Sequence, residues 1–148
     1  MNTFNRSKFE KLSEITSDYA VSIYIPTQET GHNRDKSMIR LKNHIQKTEQ
    51  ELESMGLKPR EVQDFLQPLN GMLEDSTLFR NLKSSLAVFR STSTFEYYTL
   101  PVEVEEFSTI SHVFHLLPLL QFFNKKDAFT FSRLVKTKTD SLKLPNKR

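Results

Sequence analysis

The chain predicts an α+β fold: a mostly antiparallel sheet packed by one long amphipathic helix plus shorter helices, in a single domain. Two observations carry this expectation. After one early strand the apolar period is helical as far as about residue 82, and beyond it alternation and β-branched runs take over. Helices followed by a strand meander argue for segregated α and β layers. The length, 148 residues with 36% hydrophobic side chains and 12 phenylalanines, suits one real core.

Each element has its own signal. Phe9, Leu12 and Ile15 share one side of a short helix over residues 5–15. Residues 19–26 read YAVSIYIP, a buried strand closed by Pro26. The polar stretch 27–33, with Gly31, is a loop, and Asp35 can cap the next helix. Residues 36–55 form the clearest helix, with Met38, Leu41, Ile45 and Leu52 on one side and Lys36, Arg40, Asn43 and Lys47 on the other. Gly56 is a natural stop. Pro59 opens another helix to about residue 70, apolar at Val62, Phe65, Leu66 and Leu69, with Pro68 kinking or ending it. Another turn or two falls within 75–82.

Residues 85–90 and 95–100 flank the polar STST stretch as a hairpin. Residues 102–107 alternate Val and Glu, an edge strand or strand-like connection; 109–114 is a shorter strand candidate. Residues 116–123 form an apolar helix or turn broken at Pro118, and 127–131 begin a last strand. The expected core is Ile23, Ile25, Leu41, Ile45, Leu52, Phe65, Leu69, Leu86, Val88, Tyr98, Leu100, Phe114 and Leu117.

Charge divides the chain into a domain, 1–131, and a basic tail, 132–148, expected to be disordered. Residues 133–148 hold six of the 21 Lys/Arg and one of the 18 Asp/Glu, so they carry the net +3 and the rest is slightly acidic. A body-wide basic surface for nucleic acid is thereby excluded, and any such claim rests on a local patch. The absence of cysteine removes disulfides, thiolate catalysis and Cys-based zinc sites. The amphipathic N-terminus has no apolar segment of a secretory signal. No apolar run approaches the ~20 residues that span a bilayer. A cytoplasmic protein with no membrane partner is expected.

Few constellations suggest chemistry. The stripe of Lys36, Arg40, Asn43 and Lys47, with Arg34 and His32 before it, can meet phosphates, since that needs only cationic and polar donors on one face. A solvated helix face explains the same stripe, and Glu51 continues it with the wrong sign. His112 and His115 could share a metal on a helix, but Val113 and Phe114 between them suggest extended chain, which sends them to opposite sides. Glu103 and Glu105 fall on one solvent face of a strand, with Glu106 beside them. The three glycines are far apart, which rules out a phosphate-cradling loop or dinucleotide fingerprint. No metal, no cofactor and no catalytic residue is expected.

Several segments together carry a family resemblance. VSIYIPT from Val21, IRLKN from Ile39, LAVFRS from Leu86, YTLP from Tyr98 and HVFHLLPLL from His112 occur in a characteristic order. This resembles the N-terminal part of bacterial proteins related to archaeal and eukaryotic class-1 peptide chain release factors, over about residues 20–131. Such proteins continue into a central and a C-terminal domain, and in the archaeal and eukaryotic factors a Gly-Gly-Gln loop of the central domain promotes peptidyl-tRNA hydrolysis. This chain has no Gly-Gly pair and no Asn-Ile-Lys-Ser tetrapeptide, the motif linked to stop-codon reading. Neither catalysis nor codon reading carries over.

The resemblance implies a truncated, non-catalytic module of translation termination or rescue, with ribosome or tRNA as partner and Arg34, Lys36, Arg40, Asn43 and Lys47 as RNA contacts. It also suggests that the tail is an out-of-frame remnant of a lost central domain. The alternatives are a protein-interaction module or self-association through an apolar patch of Leu116, Leu117, Leu119, Leu120, Phe122 and Phe123, a small hydrolase using His112 or His115, and a remnant with no retained function.

Overall fold

A four-stranded antiparallel sheet, covered on both faces, organises the molecule. The computed structural model describes residues 5–27, 34–75, 77–78 and 84–122. In chain order these form α1 (Arg6–Ser13), β1 (Thr16–Pro26), α2 (Arg34–Ser54), α3 (Pro59–Met72), β2 (Ser85–Arg90), β3 (Phe95–Leu100), β4 (Phe107–Val113) and a closing 3-10 turn, Leu117–Phe122. The expected strand at 127–131, the basic tail and His32 lie outside the described residues. Among the described residues no helix is long and apolar enough to cross a membrane.

The sheet order is β3-β2-β1-β4. β1 is therefore central, which explains why Ala20 to Ile25 are all buried and why this strand reads as a nearly continuous apolar run. Its side chains alternate between two cores. Val21, Ile23 and Ile25 join Leu86 and Val88 beneath Leu41, Ile45 and Leu52 of α2 and Val62, Phe65, Leu66 and Leu69 of α3. Ala20 and Tyr24 join Phe89, Tyr98 and Leu100 on the other side, against Phe9 and Leu12 of α1 and Phe114, Leu116 and Leu119. Of the expected core only Leu117 is exposed; Leu116 and Leu119 take its place.

Local chemistry fixes the element ends. The Asn5 side chain accepts from the Lys8 N–H at 2.9 Å and caps α1. Gly56, at φ 106°, ends α2 in a Schellman motif: the Leu57 N–H donates to the Leu52 carbonyl and the Gly56 N–H to Glu53. Pro59 opens α3, and the Glu61 carboxylate accepts from the Lys58 N–H at 2.9 Å. α3 runs through Pro68 rather than ending there. Proline takes a backbone donor out of that turn, and Arg90 reaches the same turn, donating to the Phe65 carbonyl at 2.7 Å with its guanidinium over the Phe65 ring.

Of the two readings of residues 102–107, the connection holds rather than the edge strand. Residues 102–106 connect β3 to β4 and form no strand; the fourth strand is β4, which begins at Phe107 and contains most of the shorter candidate. Topology supplies the reason. β3 and β4 occupy opposite edges, so the connection must cross the widths of β2 and β1, roughly 14 Å at ~4.8 Å per strand. Residues 101–106 make that crossing and pair with no strand among the described residues. Their alternation records a different anchor: Val104 is buried, and its N–H donates to the buried Ser85 hydroxyl at 2.9 Å. Glu103, Glu105 and Glu106 remain on the surface, as their charge demands.

Candidate nucleic-acid interface on the long helix

The two sides of α2 differ sharply in chemistry. Leu41, Ile45 and Leu52 are buried with Ser37 and Thr48, and Met38 is half-buried beside them. Between Lys36 and Gln50 the exposed positions are Lys36, Ile39, Lys42, Asn43, Gln46, Lys47 and Gln50. They span an arc of about 140° at 3.6 residues per turn. Three are lysines, three are amides, one is apolar and none is a carboxylate. Glu49 is half-buried, and its carboxylate accepts from Gln63 of α3 at 2.8 Å. Glu53 is exposed, but one turn beyond this face.

The expected RNA-contact residues divide accordingly. Lys36, Asn43 and Lys47 stand on the outer face. Arg34 begins the helix. Arg40 has partners within the fold: its Nη1 donates to the Pro26 carbonyl at 3.0 Å, and its Nε lies 4.0 Å from the Glu106 carboxylate. It ties α2 to the end of β1 and to the crossing segment while its side chain stays 41% exposed. Lys42, which the sequence reading did not single out, is exposed on the same face. The signal was available, because Lys42, Gln46 and Gln50 form an i, i+4 row beside the stripe.

Sequence reasoning also missed His44. Its Nε2 is 2.7 Å from Glu106 Oε2, its Nδ1 is 3.0 Å from Ser108 Oγ, and its ring is largely buried. The partners lie 62 and 64 residues downstream, so no spacing motif could reveal them. This chain has the connectivity of a nucleophile, a base and an orienting carboxylate. The groove beside Ser108, about 290 Å³, is lined by Glu51, Ser54, Met55, Ser108, Thr109 and Ile110. It is thus bounded by a carboxylate and the C-terminal, negative end of α2. Acyl transfer at Ser108 would build an oxyanion, which needs donors aimed at it rather than this field. The contacts of His44 join α2 to the crossing segment at Glu106 and to β4 at Ser108.

The remaining histidines do not converge. His112 is exposed, with Nδ1 3.1 Å from the Ser17 carbonyl. His115 lies past the end of β4, half-buried, its ring against Phe107 and Tyr24. Burial lowers its pKa, because the charged imidazolium loses solvation. Its N–H donates to the Ser22 hydroxyl at 2.8 Å, and its carbonyl accepts from the Tyr24 hydroxyl. Among the described residues no group of three or more His, Asp or Glu could hold a metal ion.

The apolar patch expected at 116–123 is also corrected. Leu116 and Leu119 are in the core at 1% and 0% exposure, and Leu120 is half-buried against it. Leu117 alone is exposed among the four leucines. Phe122 closes the 3-10 turn and Phe123 lies outside the described residues. The apolar residues cover the second face of the sheet, which would otherwise be open to water. In comparisons with known proteins, no family model and no curated sequence matches this chain.

Proposed function

We propose that the chain is the N-terminal module of a bacterial release-factor-like protein, a cytoplasmic component of translation termination or rescue. It contacts RNA of the ribosome or of tRNA through the outer face of α2 and has no catalysis of its own. One observation carries the reading: over four turns of the longest helix, every exposed position is a lysine, an amide or Ile39, with no carboxylate among them. A phosphate backbone requires such a face, with cations for Coulomb attraction and neutral donors between them. The motif order of the release-factor relatives supplies the context. The negative surroundings of Ser108 support the absence of acyl-transfer chemistry. The competing protein-interaction reading loses its continuous apolar patch once Leu116 and Leu119 are in the core.

Co-sedimentation with bacterial ribosomes tests this. The chain is expected to pellet with ribosomes at low salt and to release as salt rises. Lys36→Glu with Lys47→Glu should abolish pelleting without unfolding the protein, since both side chains are exposed. Pelleting that ignores both salt and the double substitution would remove the reading.

A further inference from the structure

The outer face of α2 offers cations and amides but no ring. We infer that it recognises base-paired, A-form RNA across the minor groove, through phosphates and 2′-hydroxyls, rather than single-stranded RNA through its bases. This inference rests on the RNA reading above and names the form of RNA that the face takes.

Three features point to it. First, reading of single strands relies on aromatic platforms for unstacked bases. None of the exposed positions between Lys36 and Gln50 is aromatic. Both faces of the sheet are covered, one by α2 and α3 and the other by α1 and the Phe114–Leu119 cover, and Phe107, exposed at the start of edge strand β4, has its ring against His115. Tyr24, Phe89 and Tyr98, which could otherwise stack on bases, are fully buried in that second core.

Second, the cations are spaced for two backbones. Lys36 and Lys47 are eleven residues apart, about 16 Å along the axis. The A-form minor groove is wide and shallow, with one phosphate row on each side, so a helix laid across it presents its ends to opposite strands. Third, Asn43 and Gln46 lie between those lysines beside Lys42 and Ile39, with Gln50 one turn on. An amide both donates and accepts, as a 2′-hydroxyl does, whereas an ammonium only donates.

Fluorescence anisotropy with three labelled probes decides the matter. The probes are an RNA duplex of about 16 base pairs, a DNA duplex of the same sequence, and one RNA strand alone. The RNA duplex is expected to bind tightest. Its advantage over the DNA duplex should fall about fivefold for each amide removed by Asn43→Ala or Gln46→Ala, with the salt dependence unchanged. Lys36→Glu with Lys47→Glu should weaken all three probes together. Equal or tighter binding of the single strand, or no preference for RNA over DNA duplex, would overturn the inference and leave the RNA reading standing. Failure to bind any RNA probe would overturn both.

Discussion

Leu119→Ala should unfold this domain far more readily than Leu117→Ala, although the two leucines are two residues apart in one apolar run. Leu119 is 0% exposed and packs with the cluster of Phe89, Phe114 and Leu116, whereas Leu117 is 48% exposed. Truncating a buried leucine costs the lost transfer free energy plus the cavity it leaves, about 2–5 kcal/mol together. The neighbouring core is dense with rings, Phe114 and Phe89 lying 5.3 Å apart between centroids. Rings collapse poorly into a methyl-sized void, so a value near 3 kcal/mol is expected. Leu117→Ala removes a side chain already half in water and should stay within about 0.5–1 kcal/mol. Against a total stability of order 5–15 kcal/mol, the first change is large and the second is small. Urea unfolding followed by circular dichroism reads both: the midpoint should fall strongly for Leu119→Ala, with the slope unchanged. Equal midpoints would refute the buried cover, and so would a wild-type midpoint for Leu119→Ala combined with loss of a protein partner. The run 116–123 would then be the interaction patch that its sequence suggests.

Other sites give further outcomes. His44→Ala breaks the brace to Glu106 and Ser108 and should cost about 1–3 kcal/mol; ester hydrolysis by the purified protein that vanished in Ser108→Ala would show that the brace is instead a catalytic arrangement. The lowered pKa of His115 means that the unfolded chain binds its proton first as pH falls. The contribution of neutral His115 is thus complete above about pH 6.5 and is lost as pH drops through the folded value. His115→Gln should flatten that part of the acid limb in a pH series of urea midpoints, and an unchanged limb would contradict the assignment. RNA binding through three lysines should give a slope of log affinity against log salt of about −2 to −3, and Lys47→Ala should reduce it by just under one; a slope near zero would remove phosphates from the contact.

Much of the fold was legible because local chemistry and topology agree. The β1 run from Ala20 to Pro26, the α2 period, Gly56 as its stop and the hairpin around Ser91–Thr94 all carry signals that burial then confirms. The failures occur where meaning depends on what lies across the fold. Val102 and Val104 alternate with glutamates like a strand, yet only the sheet order shows that this segment must cross from one edge to the other. Leu116 and Leu119 look like an exposed patch until the second face of the sheet is known to need covering. Arg40 lies in register with the other cations, but the end of β1 presents it with the Pro26 carbonyl. His44 gave no signal at all, since its partners arrive from a distant loop and strand.

α2 links fold to function, because the contacts that fix its rotation also decide which side chains can meet a partner. A helix packed only by Leu41, Ile45 and Leu52 could roll by part of a turn at small cost, since apolar burial is not directional. Hydrogen bonds are directional. Arg40 to Pro26 and His44 to Glu106 and Ser108 hold one flank of α2 on the β1–β4 side of the sheet. Gln63 to Glu49 holds it against α3. With both flanks held, the face left over is the one bearing Lys36, Lys42 and Lys47 with their intervening amides. Glu106 has a second consequence. By taking Arg40 and His44 as partners, it keeps its own negative charge on the brace, where it is compensated, instead of opposite the lysines. Neither the lysines nor the brace alone defines the surface. The sequence supplies the cations, and polar contacts from distant parts of the chain give them one common direction.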